Sequence, residues 1–350
     1  MQYKSSVRTG AHLIGRDGET AELRRFLDGS GRGALAIRGD AGLGKSALID
    51  ELVGWAERDE WRLLRATGVE AEQPFALGGL NQLVFGLRDE LAALDQHDRE
   101  ALAPVFGADP TQSPSPMGVT VALLNLLGEA ARRQPVLVII EDAHWFDELS
   151  AAVLGAAGRR MVDRRLRLVA TVRPHAGGFA PAGWAELDLQ PLSTADAQRM
   201  VDAMPLSLSA ATRGAILELA QGNPLALAEL PRSAGRVEQS GTAMPLTDRL
   251  VAVFGARLRQ LDGSVRIELL RAALDGGAAG TAAESGSRYT MVDVKPAIAA
   301  DLLTVGPSGD PVFRHPLVRA AVIQQAAAGD RRAAHAHPAG LYGDSLVRRA

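Results

Sequence analysis

Between Leu13 and Pro174, short apolar runs alternate with longer stretches in which apolar residues recur every three or four positions. Four runs read as strands: Ala34–Arg38 (ALAIR), Trp61–Gly68 (WRLLRATG), Val136–Ile140 (VLVII) and Leu166–Pro174 (LRLVATVRP). Their nearly unbroken apolar character fits strands covered on both faces, and the helical stretches between them suit crossover connections. The rhythm predicts an α/β fold built on a parallel sheet. Gly107–Pro116 (GADPTQSPSP) reads as a Pro-rich loop within this block.

The pattern then changes. From Leu187 to Pro231 the periodicity is helical throughout, with Ser193 three residues before Asp196 in a near capping box. A further helix in Ser209–Gln221 is expected to stop at Gly222 and Pro224 and to be followed by a short one. Polar Arg232–Ala243 reads as a linker. From Met244 to about His337 the chain is Ala-rich and mostly helical, interrupted by Gly-rich Asp275–Arg288. Leu302–Leu317 (LLTVGPSGDPVFRHPL) has the look of two short strands around a Gly/Pro turn. These shifts divide the chain into a sheet domain at 1–185, a helical segment at 186–235, a third domain at 236–340 and an irregular tail at 341–350.

Composition narrows the class. With 350 residues, 47% of them hydrophobic, the chain can bury two or three cores. A net charge of −3 gives no global basic field of the kind that advertises nucleic-acid binding. The absence of cysteine removes disulfides and thiolate metal sites and fits a reducing compartment. The N-terminal residues have no apolar core of signal-peptide length, and no run approaches the ~18 apolar residues of a spanning helix. The expectation is a cytoplasmic protein with no membrane partner.

Two motifs carry candidate chemistry. Gly39–Ser46 (GDAGLGKS) fits G-x-x-x-x-G-K-[ST], with a strand before it and a helical pattern after it. Such a loop lets backbone N–H groups curl around phosphate at a helix N-terminus. Gly39, Asp40, Ala41, Gly42, Leu43, Gly44, Lys45, Ser46 and Ala47 are therefore the candidate ATP/ADP contacts. Lys45 is expected on the β/γ-phosphates and Ser46 on Mg2+. The second motif is Val136–Asp147 (VLVIIEDAHWFD), a core strand ending in acids. In this chemistry the acidic strand is expected beside the phosphate-loop strand, its carboxylates facing magnesium and the attacking water. By register Glu141 is assigned to magnesium and Asp142 to the water, although the order Glu–Asp leaves open which holds the metal. Asp147 is expected to cap the next helix. His144 and Trp145 either line the site or pack within the loop.

These motifs occur in order with several others: Leu13–Leu27 (LIGRDGETAELRRFL), Glu70–Val84 (EAEQPFALGGLNQLV), Ala170–Pro174 (ATVRP), Gly222–Leu230 (GNPLALAEL), Met244–Leu250 (MPLTDRL) and Val312–Val322 (VFRHPLVRAAV). The set, covering about Leu13 to His335, resembles the ATP-binding region of large LuxR-type regulators, members of the STAND class of signal-transduction ATPases. The resemblance implies a P-loop sheet domain, a helical lid and a winged-helix domain that switch between ADP and ATP states. It implies that Ile14, Gly15 and Arg16 contact adenine, that Arg173 reads the γ-phosphate, that Pro224 packs near the base and that His315 holds the ADP state closed. Arg173 could equally be a strand-end surface charge, Gly222–Pro224 an ordinary helix stop and His315 a packed wing residue. The family's helical-repeat sensor and helix-turn-helix have no counterpart after Asp330–His337, so no DNA binding is expected of this chain alone.

Taken together, the sequence predicts a slow, Mg-dependent ATPase switch answering an unknown small-molecule or protein inducer. In its ATP state it is expected to form homo-oligomers or to pair with related regulators. The alternatives are a non-catalytic nucleotide-binding interaction protein and a DNA-loading ATPase of the origin-recognition type.

Overall fold

A computed structural model describes residues 8–9, 12–107, 115–161, 164–174, 179, 181–237, 246–274, 295–300, 302–305 and 311–334. The chain divides into two compact units, one of residues 8–190 and one that starts at Pro191.

The first unit carries a parallel sheet of five strands: β1 (Ala34–Arg38), β2 (Arg62–Thr67), β3 (Val136–Glu141), β4 (Leu166–Val172) and β5 (Ala185–Asp188). Their order across the sheet is β2-β3-β4-β1-β5. The acidic strand β3 is thus not beside the phosphate-loop strand β1, as the sequence suggested. β4 lies between them, paired with β3 through Val138–Leu168 and with β1 through Ala36–Ala170. Unbroken apolar runs are alike from strand to strand, so hydrophobicity alone cannot rank neighbours. The sheet also runs past residue 185, since β5 pairs with β1 from Leu35–Ala185 to Arg38–Asp188. In β5 only Leu187 is buried while Glu186 and Asp188 are exposed, the pattern of an edge strand that a search for apolar runs passes over.

Helices cover both faces. Alternate strand residues Leu35, Ile37, Leu137, Ile139 and Val169 pack with α1 (Asp17–Leu27) and α2 (Lys45–Arg58). The opposite set, Ala34, Ala36, Val138, Ile140 and Leu168 among them, packs with α3 (Gly78–Val84), α4 (Pro116–Arg133) and α5 (Glu148–Arg160). This two-residue alternation, with apolar residues on both sides, makes a three-layer α/β/α P-loop fold.

In the second unit, α6 (Thr194–Asp202), α7 (Ala210–Ala220) and α8 (Pro224–Val237) are followed by α9 (Asp248–Gly255), α10 (Gly263–Leu274), α11 (Lys295–Ala299) and α12 (Pro316–Gln325). Ser193 caps α6 by accepting the N–H of Asp196 at 3.1 Å. α8 is longer than the short helix expected, passes through Pro231 and takes in residues 232–237 of the presumed linker. A proline inside a helix removes one backbone bond and costs about 3 kcal/mol. Here the apolar stripe of Ala226, Leu227 and Leu230, each fully buried, offsets that cost. Glu229 adds ion pairs to Arg232 at 3.1 Å and to Arg249 at the start of α9, 3.5 Å away. β6 (Leu303–Val305) and β7 (Pro311–Phe313) pair antiparallel, the two short strands anticipated there. The Gly-rich 275–288 segment, all but the ends of the Pro-rich loop, and the tail lie outside the described residues. Among the described residues no helix is long and apolar enough to cross a membrane.

Candidate functional site

β1 ends at Arg38, and the loop that follows delivers the chain into α2 at Lys45. Gly42 (φ 83°) and Gly44 (φ 98°) both adopt left-handed backbone, which residues with a Cβ enter only at a cost. Gly39 meets a different demand, because a Cβ there would stand 3.1 Å from that of Leu189. No side chain among the described residues caps the N-terminus of α2, where Lys45, Ser46 and Ala47 begin the helix. Backbone N–H groups at such an end, with the helix dipole behind them, suit an anion.

Lys45 lies back over the loop, its Nζ donating to the carbonyls of Gly39 (2.6 Å) and Asp40 (3.0 Å). Burial pushes its pKa down from 10.5 to about 8. The Arg173 guanidinium adds to the drop, while Asp142 and Asp40 oppose it. Arg173 follows β4 and Asp142 follows β3, so charges at the carboxyl ends of these two strands act on Lys45 at the start of α2. That edge of an open α/β sheet is where ligand crevices form.

The acidic pair is arranged by a turn. Asp142 is left-handed (φ 49°, ψ 45°), and its N–H donates to the Thr171 hydroxyl at 2.9 Å. Gly68 closes over this turn; a Cβ on it would lie 2.2 Å from the Asp142 carbonyl oxygen. The two acids consequently have different surroundings. Asp142 acts on Lys45, whereas Glu141 continues the strand beside Arg65, Asp142 and Asp50. Burial pushes the Glu141 pKa up, Arg65 opposes the rise, and Asp142 and Asp50 reinforce it. Asp50 sits on α2 four residues after Ser46, hence on the same helix face.

Of the Ile14–Arg16 segment, Gly15 is left-handed (φ 68°) and Arg16 is buried. Arg16 donates through Nη2 to the carbonyls of Leu43 (3.1 Å) and Gln190 (2.8 Å), and through Nη1 to Glu19 (2.5 Å). Its side chain thus ties this segment to the phosphate loop. Asp147 caps α5 by accepting the Ser150 N–H at 2.9 Å, and also accepts from Leu77 (2.9 Å) and Gly79 (3.3 Å) at the start of α3. His144 is buried in the turn with its ring 5.0 Å from that of Trp145. Pro224 and His315 belong to the second unit. Pro224 opens α8, while His315 caps α12 by accepting the Leu317 N–H at 3.1 Å and lies 5.4 Å from the Phe254 ring.

Three residues beside the site were not anticipated: Thr171, Arg65 and Asp50. Thr171 left a signal, a lone hydroxyl in the apolar stretch 168–172 of β4. Arg65 and Asp50 read as ordinary exposed charges until the register of β2 against β3 brings Arg65 opposite Ile139.

Comparison with known proteins agrees with this fold. Residues 12–170 match the AAA ATPase domain. Over 226 residues the chain is 28% identical to an uncharacterised protein of Rhizobium meliloti (strain 1021), an alignment that takes in 56% of this chain and 22% of that protein. The chain therefore spans less than a quarter of that relative. A Walker-type ATPase of Pyrococcus abyssi aligns with a TM-score of 0.53 and 14% identity, over 92% of this chain and 99% of that one. A signal-transduction ATPase with numerous domains and a tetratricopeptide-repeat sensor, from Pyrococcus horikoshii, aligns at 0.45 with 16% identity, over 94% of this chain and 45% of that one. The AAA ATPase match ends at Ala170, one residue before Thr171, and includes the phosphate loop and both acids.

Proposed function

We propose that the chain is a magnesium-dependent ATP-binding module that hydrolyses ATP slowly and acts as a signal-transduction switch of the kind found in large LuxR-type regulators. The observation that supports this best is the glycine-rich loop leading into an uncapped helix end, with Lys45 folded over its carbonyls and under the influence of Arg173 and Asp142. Two cations and a carboxylate around an uncapped helix end suit a polyphosphate and a water molecule.

In this reading Lys45 leaves the carbonyls of Gly39 and Asp40 for the β/γ-phosphates, and Arg173 senses the γ-phosphate. Asp142 orients the attacking water from a backbone turn held by Thr171. Ser46 and Glu141 would hold a magnesium ion, which would supply charge neutralisation to the phosphates when bound. Two oxygen side chains are enough for magnesium, which keeps several waters and phosphate oxygens of its own. Aspartate is one methylene shorter than glutamate, so its reach to the water is poorer and turnover slow. Ile14, Gly15 and Arg16 flank the adenine, and Pro224 and His315 take part in the switching between nucleotide states. ATP and an inducer then shift the population toward an open, self-associating form.

The test is a pair of substitutions read by two assays, titration with a fluorescent ATP analogue and phosphate release. Lys45→Ala should abolish binding, while Asp142→Asn should keep binding and lose turnover. Retained affinity in Lys45→Ala sinks the nucleotide reading. Undiminished phosphate release in Asp142→Asn sinks the catalytic one.

A further inference from the structure

At the other end of the sheet from the phosphate loop, the segments that lead into β1, β4 and β5 enclose a cavity of about 420 Å³. Four arginines line it, Arg32, Arg159, Arg164 and Arg167, and no carboxylate among the described residues does so. β1 is five residues long, so roughly 17 Å of strand separates this cavity from the phosphate loop. The two are separate places on one unit.

Arg167 is 2% exposed and holds its position through backbone oxygens, with Nε donating to Phe26 at 2.8 Å and Nη1 to Leu166 at 2.9 Å. Those bonds explain why an arginine on a core strand can tie the last turn of α1 to β4. They do not explain the three other arginines around the same space. Arg32 donates to the Gly183 carbonyl, and the Arg159 stem runs past the same glycine. Guanidinium groups stay charged throughout the working pH range, so the four bring permanent positive charge to the cavity.

The glycines keep the space open. A Cβ at Gly29 would stand 2.8 Å from Nη2 of Arg167, and one at Gly183 would stand 3.2 Å from Cδ of Arg159 and 3.8 Å from Nη1 of Arg32. Both glycines are left-handed, with φ 88° and 84°. Side chains at either point would press on the arginines that line the cavity.

We propose that this cavity is a second anion site, which takes a small ligand carrying two or more phosphoryl groups. The number of cations calls for more than the single charge of a carboxylate, and arginine forks match phosphoryl oxygens in pairs. The volume lies within the range of small-ligand pockets and exceeds what one phosphate fills. A partly enclosed recess with a buried arginine at its floor suits a compact anion better than a nucleic-acid backbone, which needs an open track of charge. An occupant here would touch the segment between α1 and β1, α5, β4 and the segment before β5.

The experiment uses the full chain with Lys45→Ala, which silences the phosphate loop and separates this proposal from the fate of the ATPase reading. Titration calorimetry with pyrophosphate should show one saturable site. The charge reversals Arg159→Glu and Arg164→Glu together, both on exposed side chains, should weaken it by about tenfold or more. Absence of pyrophosphate binding in Lys45→Ala, or equal affinity after the reversals, overturns the proposal. Should the double variant lose its folded circular dichroism, Arg32→Gln is read instead, with a weakening of about threefold or more expected and an unchanged affinity counting against the site. A DNA duplex that competes with pyrophosphate through these arginines would overturn the small-ligand assignment.

Discussion

Lys45 shows how a single residue's chemistry depends on what surrounds it. Its pKa is depressed to about 8 because burial and Arg173 disfavour the ammonium. In the nucleotide-free protein the charged form therefore detracts from stability below about pH 8, a penalty relieved as pH rises from there toward the unfolded value of 10.5. In the proposed function phosphate binding has the opposite sign, since there it uses the ammonium. Affinity for an ATP analogue should be full below about pH 8 and fall by up to roughly tenfold per unit above it. Lys45→Arg should flatten that dependence between pH 7 and 9 in calorimetric titrations, and a profile equally steep in both proteins would rule out Lys45 as its source. The lysine itself is legible in the motif. Its depressed pKa is not, because Arg173 and Asp142 lie about 100 residues or more away and reach it only when β3, β4 and β1 come together.

At the scale of elements, one carboxylate organises two helices. The spacing of Asp147 before Glu148–Arg160 predicts an N-cap, and the Ser150 N–H is indeed its partner. What spacing cannot show is that the same side chain accepts from Leu77 and Gly79, where the left-handed Leu77 (φ 65°) opens α3. Ser150 completes the junction by accepting the Leu80 N–H at 3.1 Å. Asp147→Ala leaves three buried backbone donors without that partner and should cost about 2–4 kcal/mol in urea unfolding. A loss no larger than about 1 kcal/mol, the worth of a single cap, would mean that the bonds to α3 contribute nothing. The Phe146 ring lies against Gly79, whose Cβ would fall 2.5 Å from it, so this junction also sets how closely α3 approaches the acidic turn.

For the whole molecule, the sheet and its two helical layers lie within residues 8–190, and Arg16 reaches from the start of that unit to Gln190 at its end. A fragment ending at Gln190 should therefore unfold in one cooperative transition and still bind an ATP analogue. A broad, non-cooperative transition would mean that the second unit is required for the first to fold.

By itself the sequence determined the strands and helices with strong periodicity, the phosphate loop and the acidic pair, because each of these is local: a repeat of two or 3.6 residues, a glycine at a set spacing, a run of apolar side chains ending in charge. Only the tertiary structure decided that β4 lies between β3 and β1, that Asp142 turns on the Thr171 hydroxyl toward Lys45, and that four arginines from three segments share one cavity. Those facts rest on which buried strands become neighbours. Strands with similar apolar faces leave that choice to the packing of the whole unit and not to any stretch of chain.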